Sequence, residues 1–236
     1  YENAVEYKNA YKFLMIPDIL NYFLTGEAAN EFTNATMTLM CNLNTRQWEK
    51  KIISALGFPT EIFQELVEPG VTLGNLSKAV CEETGIKAVP VIIPPTHDTA
   101  SAVAGIPVVN DHRSWAFIIL GTWCIEGIET SSPVINEKVL ASGFGNEGGV
   151  AGKNMLLKNT TGMWIMQQCR EYWIKTAQRD IPWDEINMAT KEAQPVDAYI
   201  DVDDERFGKV QTEMPNVIAQ YCKETGQKVP STMGEV

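Results

Sequence analysis

The sequence predicts an α/β protein with a linker near its middle. Three observations carry that reading. Helical apolar stripes alternate with short β-branched runs along the chain. The 236 residues, 44% of them hydrophobic, suffice for one large domain or two modest ones with a substantial core. Residues Ile106–Ser114 combine turn formers with mixed charge, and strand character resumes at Trp115.

The elements follow in order. Phe13-Leu14-Met15-Ile16 leads into a helix over Asp18–Leu24, with Pro17 in its first turn and Gly26 as its stop. Glu27–Asn44 is polar and rich in Thr and Asn, and reads as short strands or a partly buried loop. Arg46–Leu56 reads as a helix with Trp48, Ile52 or Ile53, and Leu56 on one stripe, ended by Gly57 and Pro59. Thr60 caps a short helix through Leu66, Glu68-Pro69-Gly70 turns, and Val71–Leu73 is a short strand. Lys78–Glu83 is a helix stopped by Gly85.

Val89–Ile93 has the pattern of a fully buried strand, and Pro94-Pro95 ends it because proline cannot donate to a sheet ladder. Thr99–Gly105 is a small-residue helix. Asp98 stands at or just before its N-terminus, where exposed N–H groups favour a carboxylate. A plain helix cap and a ligand-site carboxylate at the end of a strand both fit that position. Within the linker, His112 reads as an ordinary surface histidine. Trp115–Leu120 and Trp123–Ile128 form a hairpin bent at Gly121-Thr122. Such a turn can offer N–H groups and a hydroxyl to a phosphate, and many hairpins carry it with no ligand. Lys158–Lys175 holds the best amphipathic helix, with Ile165, Met166, Cys169, Tyr172 and Trp173 on one face and Gln167 and Arg170 off it. Asn159, Thr160 and Thr161 read as its capping region. Trp183–Ala193 and Pro215–Thr225 are further helices, the second closed by Gly226.

Composition narrows the function. A net charge of −11 and a pI near 4.7 are the reverse of a nucleic-acid binder's balance. The longest purely apolar run, Trp115–Leu120, is too short to span a bilayer. Tyr1–Glu6 has neither the basic start nor the apolar core of a signal peptide. With no initiator Met and no evident stop at Gly234–Val236, the chain reads as an internal piece of a longer protein. Five scattered cysteines with no CxxC argue against a disulfide framework or zinc site and for a reducing compartment, hence a cytoplasmic place. Asp201–Arg206 reads as a solvated loop, and the sequons at Asn34, Asn75 and Asn159 as chance. Gly143–Gly148 matches G-x-G-x-x-G, but no strand leads in and Gly148–Gly152 is a poor helix start. A nicotinamide oxidoreductase rests on that match alone. Gly152-Lys153 ends like a P-loop, yet Glu147 stands where a glycine is required and Asn154 replaces the Ser/Thr.

Thr96-His97-Asp98-Thr99-Ala100-Ser101-Ala102-Val103, then Gly121-Thr122-Trp123, Asn146-Glu147-Gly148-Gly149, and Leu156–Asn159 with Gly162-Met163-Trp164 resemble the rhamnulokinases, sugar kinases of the FGGY carbohydrate kinase family. Phe13–Asp18, Leu24–Glu27, Pro133–Glu137 and Tyr221–Gln227 support it, so the resemblance covers nearly the whole chain in order. It implies the ribonuclease-H-like, actin-like ATPase fold, with two domains flanking a cleft, both incomplete. Residues 1–106 would be the C-terminal part of the first, sugar-binding domain, and residues 107–236 the N-terminal part of the second, ATP-binding domain. The family's N-terminal phosphate hairpin and C-terminal adenosine segment have no counterpart in these residues.

The resemblance further implies ATP- and Mg²⁺-dependent phosphorylation of a ketose. L-Rhamnulose is the first candidate, and L-fuculose or L-xylulose the alternative. Asp98 matches the family's general base. His97, Asp98, Thr99 and Asn159 match sugar-contacting positions. Gly121, Thr122 and Gln167 match ATP-side positions, and no metal ligand is matched. The partners implied are the sugar and ATP, with no nucleic acid or membrane, and the protein would be a monomer or homodimer. The family's turn Ser-Ser-Gly-Thr-Trp-Ser reads here Ile119-Leu120-Gly121-Thr122-Trp123-Cys124. That removes the flanking hydroxyls and keeps the turn. A non-catalytic sugar or nucleotide sensor on the same fold is the competing reading.

Overall fold

Proline and glycine set the ends of the first helix, as their backbone chemistry requires. The computed structural model describes residues 9–108 and 115–236. His112 and Tyr1–Glu6, read above from sequence, lie outside them. Helix α1 (Ile16–Thr25) has Pro17 in its first turn, where a missing N–H costs nothing, and closes at Gly26 with φ 82°. Strand β1 (Asn30–Glu31) runs parallel to β4 (Leu66–Val67). Between them lie α2 (Phe32–Ala35), a 3₁₀ turn over Thr36–Thr38, the pair β2 (Cys41–Asn42) and β3 (Gln47–Trp48), and α3 (Lys50–Ala55). The polar Glu27–Asn44 stretch thus holds a helical turn as well as the expected short strands.

Two helix readings need correction. The helix expected over Arg46–Leu56 begins only at Lys50, because Gln47–Trp48 pairs with β2. Trp48 is held there by edge-on contacts with Phe13 and Phe63 and by the bond its Nε1–H donates to the Gln64 carbonyl at 2.7 Å. Of the expected stripe, Ile53 is fully buried while Ile52 and Leu56 are exposed. The helix expected from Thr60 to Leu66 is a single 3₁₀ turn over Thr60–Ile62, since Leu66 belongs to β4.

Strand β5 (Thr72–Asn75) pairs antiparallel with β6 (Pro90–Ile92), and α1 packs against both. Between them, α4 (Lys78–Thr84) is capped by the Ser77 hydroxyl and ends at left-handed Gly85. The fully buried strand expected at Val89–Ile93 is not found. Val89 and Ile92 are 46% and 59% exposed, and Ile93 alone is buried, at 1%. In a two-stranded sheet a β-branched run can leave one face open. Helix α5 (Asp98–Ala104) follows, with Ala100 and Val103 in the core.

After the linker come β7 (Phe117–Leu120), β8 (Trp123–Thr130), α6 (Glu137–Ala141), β9 (Gly145–Gly148) and β10 (Asn154–Thr161). The four strands form one sheet in the order β7-β8-β10-β9. The G-x-G-x-x-G match therefore lies largely in a strand, β9, paired antiparallel with β10 from Leu157↔Gly145 to Asn154↔Gly148. No helix follows it, so it offers no dinucleotide loop. Gly148 is required by packing: a Cβ there would lie 2.6 Å from the Phe32 ring. Helices α7 (Trp164–Ala177), α8 (Trp183–Glu192) and α9 (Met214–Glu224) complete the chain.

The chain forms two compact units, one of residues up to 117 together with 127–158, the other of 118–126 and 159–236. The second unit's core joins Ile165 and Cys169 of α7 to Phe207 and to Met214, Ile218 and Cys222 of α9. Among the described residues no helix is long and apolar enough to cross a membrane.

Candidate active site

In the first unit, the site is organised by a buried carboxylate that local pattern does not reveal. Glu31 ends β1 with no solvent exposure and caps α2. It accepts from the Thr33 and Asn34 backbone N–H groups at 2.8 and 3.1 Å, and from the Thr33 hydroxyl at 2.6 Å. The same carboxylate accepts from the Thr96 N–H at 3.0 Å and its hydroxyl at 2.9 Å. The His97 N–H in turn donates to the Thr33 hydroxyl at 3.3 Å. Behind Glu31, Asp18 is buried at 2% and accepts from Asn30 Nδ2 and the Glu31 N–H at 2.9 and 3.1 Å. Burial raises the Asp18 pKa against the opposing pull of these bonds. The residues just before Asp98 are therefore tied to β1 by charge-assisted hydrogen bonds, which are stronger than neutral ones, and to α2 by a neutral one.

Asp98 is the first residue of α5, and His97 holds the N-cap position without a side-chain cap bond. Asp98 thus stands one position past the N-cap: its carboxylate is 98% exposed and accepts only the adjacent Thr99 N–H, at 2.8 Å, among the described bonds. A solvent-facing carboxylate on a rigid support is free to meet a ligand. Thr99 itself is 3% exposed, so its side chain packs inward.

His97 lies between two carboxyl groups. Its Nε2 is 3.5 Å from Asp98 Oδ1, and its Nδ1 is 3.5 Å from Glu147 Oε2. Burial lowers the His97 pKa, with Asp98 and Glu31 pulling the other way. Burial, with Asp98 nearby, pushes Glu147 from 4.5 up to about 7. The folded chain thus keeps a proton on Glu147 that an unfolded chain releases from pH 4.5 upward. The stability this group gives is present below that pH and is lost as pH rises through about 7. Glu147→Gln is therefore expected to gain stability relative to wild type between pH 5 and pH 8, read as the difference in urea midpoints at the two values.

In the second unit, the Gly121-Thr122 turn joins β7 to β8 as expected, and both residues are exposed. The Gly121 N–H donates to the Trp123 carbonyl at 2.8 Å, leaving Thr122 as the residue of the turn that can face a ligand. The turn's carbonyls hold the start of α7. Gly162 and Trp164 donate to the Thr122 carbonyl at 3.2 and 3.1 Å, and Met163 to the Gly121 carbonyl at 2.8 Å. This overturns the capping role read for Asn159–Thr161. Those residues end β10, Met163 holds the N-cap position with no side-chain cap bond, and the first N–H of α7, from Trp164, is accepted by the Thr122 carbonyl. Asn159 is exposed on β10, and Gln167 is half-buried on α7. Thr122, Trp123, Thr161, Trp164 and Gly208 line a cavity of about 210 Å³. Trp123, Trp164 and Gly208 carry no recognisable polar motif, so pattern reading passed over them as cavity-lining residues. A Cβ on Gly162 would lie 2.6 Å from the Cys124 nitrogen and 2.7 Å from the Gly121 carbonyl oxygen, both backbone atoms. Gly162→Ala is expected to cost roughly 1–3 kcal/mol, as overpacking does, measured by thermal unfolding.

Residues 2–105 match the N-terminal domain of the FGGY family of carbohydrate kinases, and residues 116–236 match its C-terminal domain. The chain belongs to the FGGY family of carbohydrate kinases. A rhamnulokinase of Bacteroides thetaiotaomicron is 38% identical over 225 residues, 95% of this chain and 45% of that protein. A rhamnulokinase of Halalkalibacterium halodurans is 40% identical over 230 residues, 98% of this chain and 47% of that protein. The chain spans about half the length of these curated relatives. Plasmodium falciparum glycerol kinase with ADP aligns over 100% of this chain and 51% of its own, with a TM-score of 0.64 and 17% sequence identity. The FGGY chain thus has the mixed α/β, actin-like ATPase fold of sugar kinases.

Proposed function

We propose that the full-length protein transfers the γ-phosphoryl group of ATP to a ketose, with L-rhamnulose as first substrate and Asp98 as general base. The alternative substrates are L-fuculose and L-xylulose. One observation carries the reading: a wholly exposed carboxylate at the start of α5, in a loop anchored by the buried Glu31. The rhamnulokinase names of the relatives point to the sugar.

Phosphoryl transfer asks little covalent chemistry of a protein and much positioning. The C1 hydroxyl oxygen of the ketose forms the new bond to the γ-phosphorus as the bond to the bridging oxygen breaks. That electron pair leaves with ADP, and the hydroxyl proton goes to Asp98. His97 and Asn159 would contact the sugar, and Thr99 would act through the N–H it gives Asp98. The exposed Thr122 and the half-buried Gln167 would serve ATP, with Gly121 shaping the turn. Mg²⁺ keeps several waters and binds substrate phosphates, so it would come with ATP. Among the described residues no cluster of three or more metal-binding side chains exists, and no residue is assigned to the ion. When bound it neutralises charge on the transferring group.

In this reading residues 1–106 supply the sugar side and residues 107–236 the nucleotide side. The protein works in the cytoplasm as a monomer or homodimer. A panel of ketoses in a coupled ADP-release assay tests the proposal. ADP release that depends on L-rhamnulose supports it, and release unchanged by any ketose overturns it.

A further inference from the structure

Behind Asp98 lies a buried pair that the chemistry above does not use. The His97 and Glu147 side chains are 14% and 13% exposed. Their facing atoms, Nδ1 and Oε2, are both buried and have no hydrogen-bond partner among the described residues. They are 3.5 Å apart, and on the other edge of the ring Nε2 is 3.5 Å from Asp98 Oδ1. Polar atoms are costly to bury unpaired. One proton between Nδ1 and Oε2, after a small approach, would satisfy both.

We propose that Glu147 is a positioning residue for the acceptor site: standing behind His97, it selects the tautomer that His97 presents to Asp98 and the sugar. This inference rests on Asp98 being the base. With its carboxyl protonated, Glu147 donates to Nδ1. Nε2 then keeps its hydrogen and points a donor at the Asp98 carboxylate. When Glu147 releases its proton to solvent, the ring hydrogen moves to Nδ1 to face the new anion. Nε2 then turns a lone pair toward Asp98, which repels it. The charged groups around the pair favour the first state: Asp98 faces both members and Glu31 faces His97, all acidic. Arg46, the nearby cation, is committed to Glu68 and to the carbonyls of Gly149 and Lys153. Each histidine nitrogen takes the state set by the partner of the other, as neutral imidazoles do.

Two variants and two readouts test this in the full-length protein. Glu147→Gln keeps a donor for Nδ1 and cannot ionise. Glu147→Leu fills the same buried space with no polar group. Nitrogen-15 spectra of the imidazoles, assigned by their loss in His97→Gln, should show hydrogen on Nε2 at pH 6 in wild type. It should shift toward Nδ1 by pH 8.5 in wild type and stay on Nε2 in Glu147→Gln. In steady-state kinetics, Glu147→Leu should lower kcat/KM for the sugar roughly tenfold, the worth of one hydrogen bond. Glu147→Gln should stay near wild type and lose the decline of kcat/KM above neutral pH. Nδ1–H at every pH, or Gln and Leu variants with the same rates and pH profiles, would overturn the proposal. The spectra do not depend on turnover. A protein with no kinase activity but the expected tautomer shift would refute the kinase reading alone.

Discussion

Asp98→Ala in the full-length protein is expected to lower kcat by about 10²–10⁴, the usual contribution of a general base. Sugar binding should change little, because the loop that carries Asp98 is held by Glu31 and Thr33, not by Asp98. The carboxylate is fully exposed, so the substitution disturbs no packing. The loss should therefore fall on kcat, the pattern of an interaction made in the transition state. Equilibrium titration with the ketose and single-turnover phosphorylation separate the two effects. A variant with near-normal turnover would remove Asp98 from the chemistry.

Glu31→Ala is expected to have the largest effect on stability. The change strips acceptors from the backbone N–H groups of Thr33, which is fully buried, and of Asn34 and Thr96, which are partly so. Each buried donor left unmatched costs roughly 1–3 kcal/mol, so the total loss should reach about 3 kcal/mol or more. Urea unfolding of the full-length protein measures it. Activity should fall as well, since Thr96 loses both its bonds to β1 and the approach to Asp98 loosens. A shift in the urea midpoint no larger than that of a surface substitution would show that Glu31 does not anchor the loop.

The sequence made some of this legible, and chain separation explains which parts. Pro17, Gly26, Gly85 and Gly226 mark helix ends because their backbone limits act within a residue or two. The Asp98 helix and the Gly121-Thr122 hairpin were readable for the same reason. Glu31 was not: its bonds to Thr96 span 65 residues, and its own neighbourhood looks like a polar loop. Glu147 sits in a glycine-rich stretch that imitates a nucleotide motif, and its meaning appears only when β9 is placed beside His97. Asn159–Thr161 misled because a run of polar residues before a helix normally caps it. Here the first helical N–H, from Trp164, goes to the Thr122 carbonyl, about forty residues earlier in the chain. Trp48 left its expected helix for aromatic partners at Phe13 and Phe63, which no local periodicity reports.

The central claim is that Asp98 serves transfer of phosphate to a ketose hydroxyl. Phosphorus–proton correlation NMR of the product made from L-rhamnulose and ATP tests it most directly, with wild-type and Asp98→Ala full-length protein side by side. Wild type is expected to give a new phosphomonoester coupled to the C1 methylene protons, and the variant none on the same timescale. Inorganic phosphate as the sole product with wild type, or the same ester formed equally fast by both proteins, would contradict it.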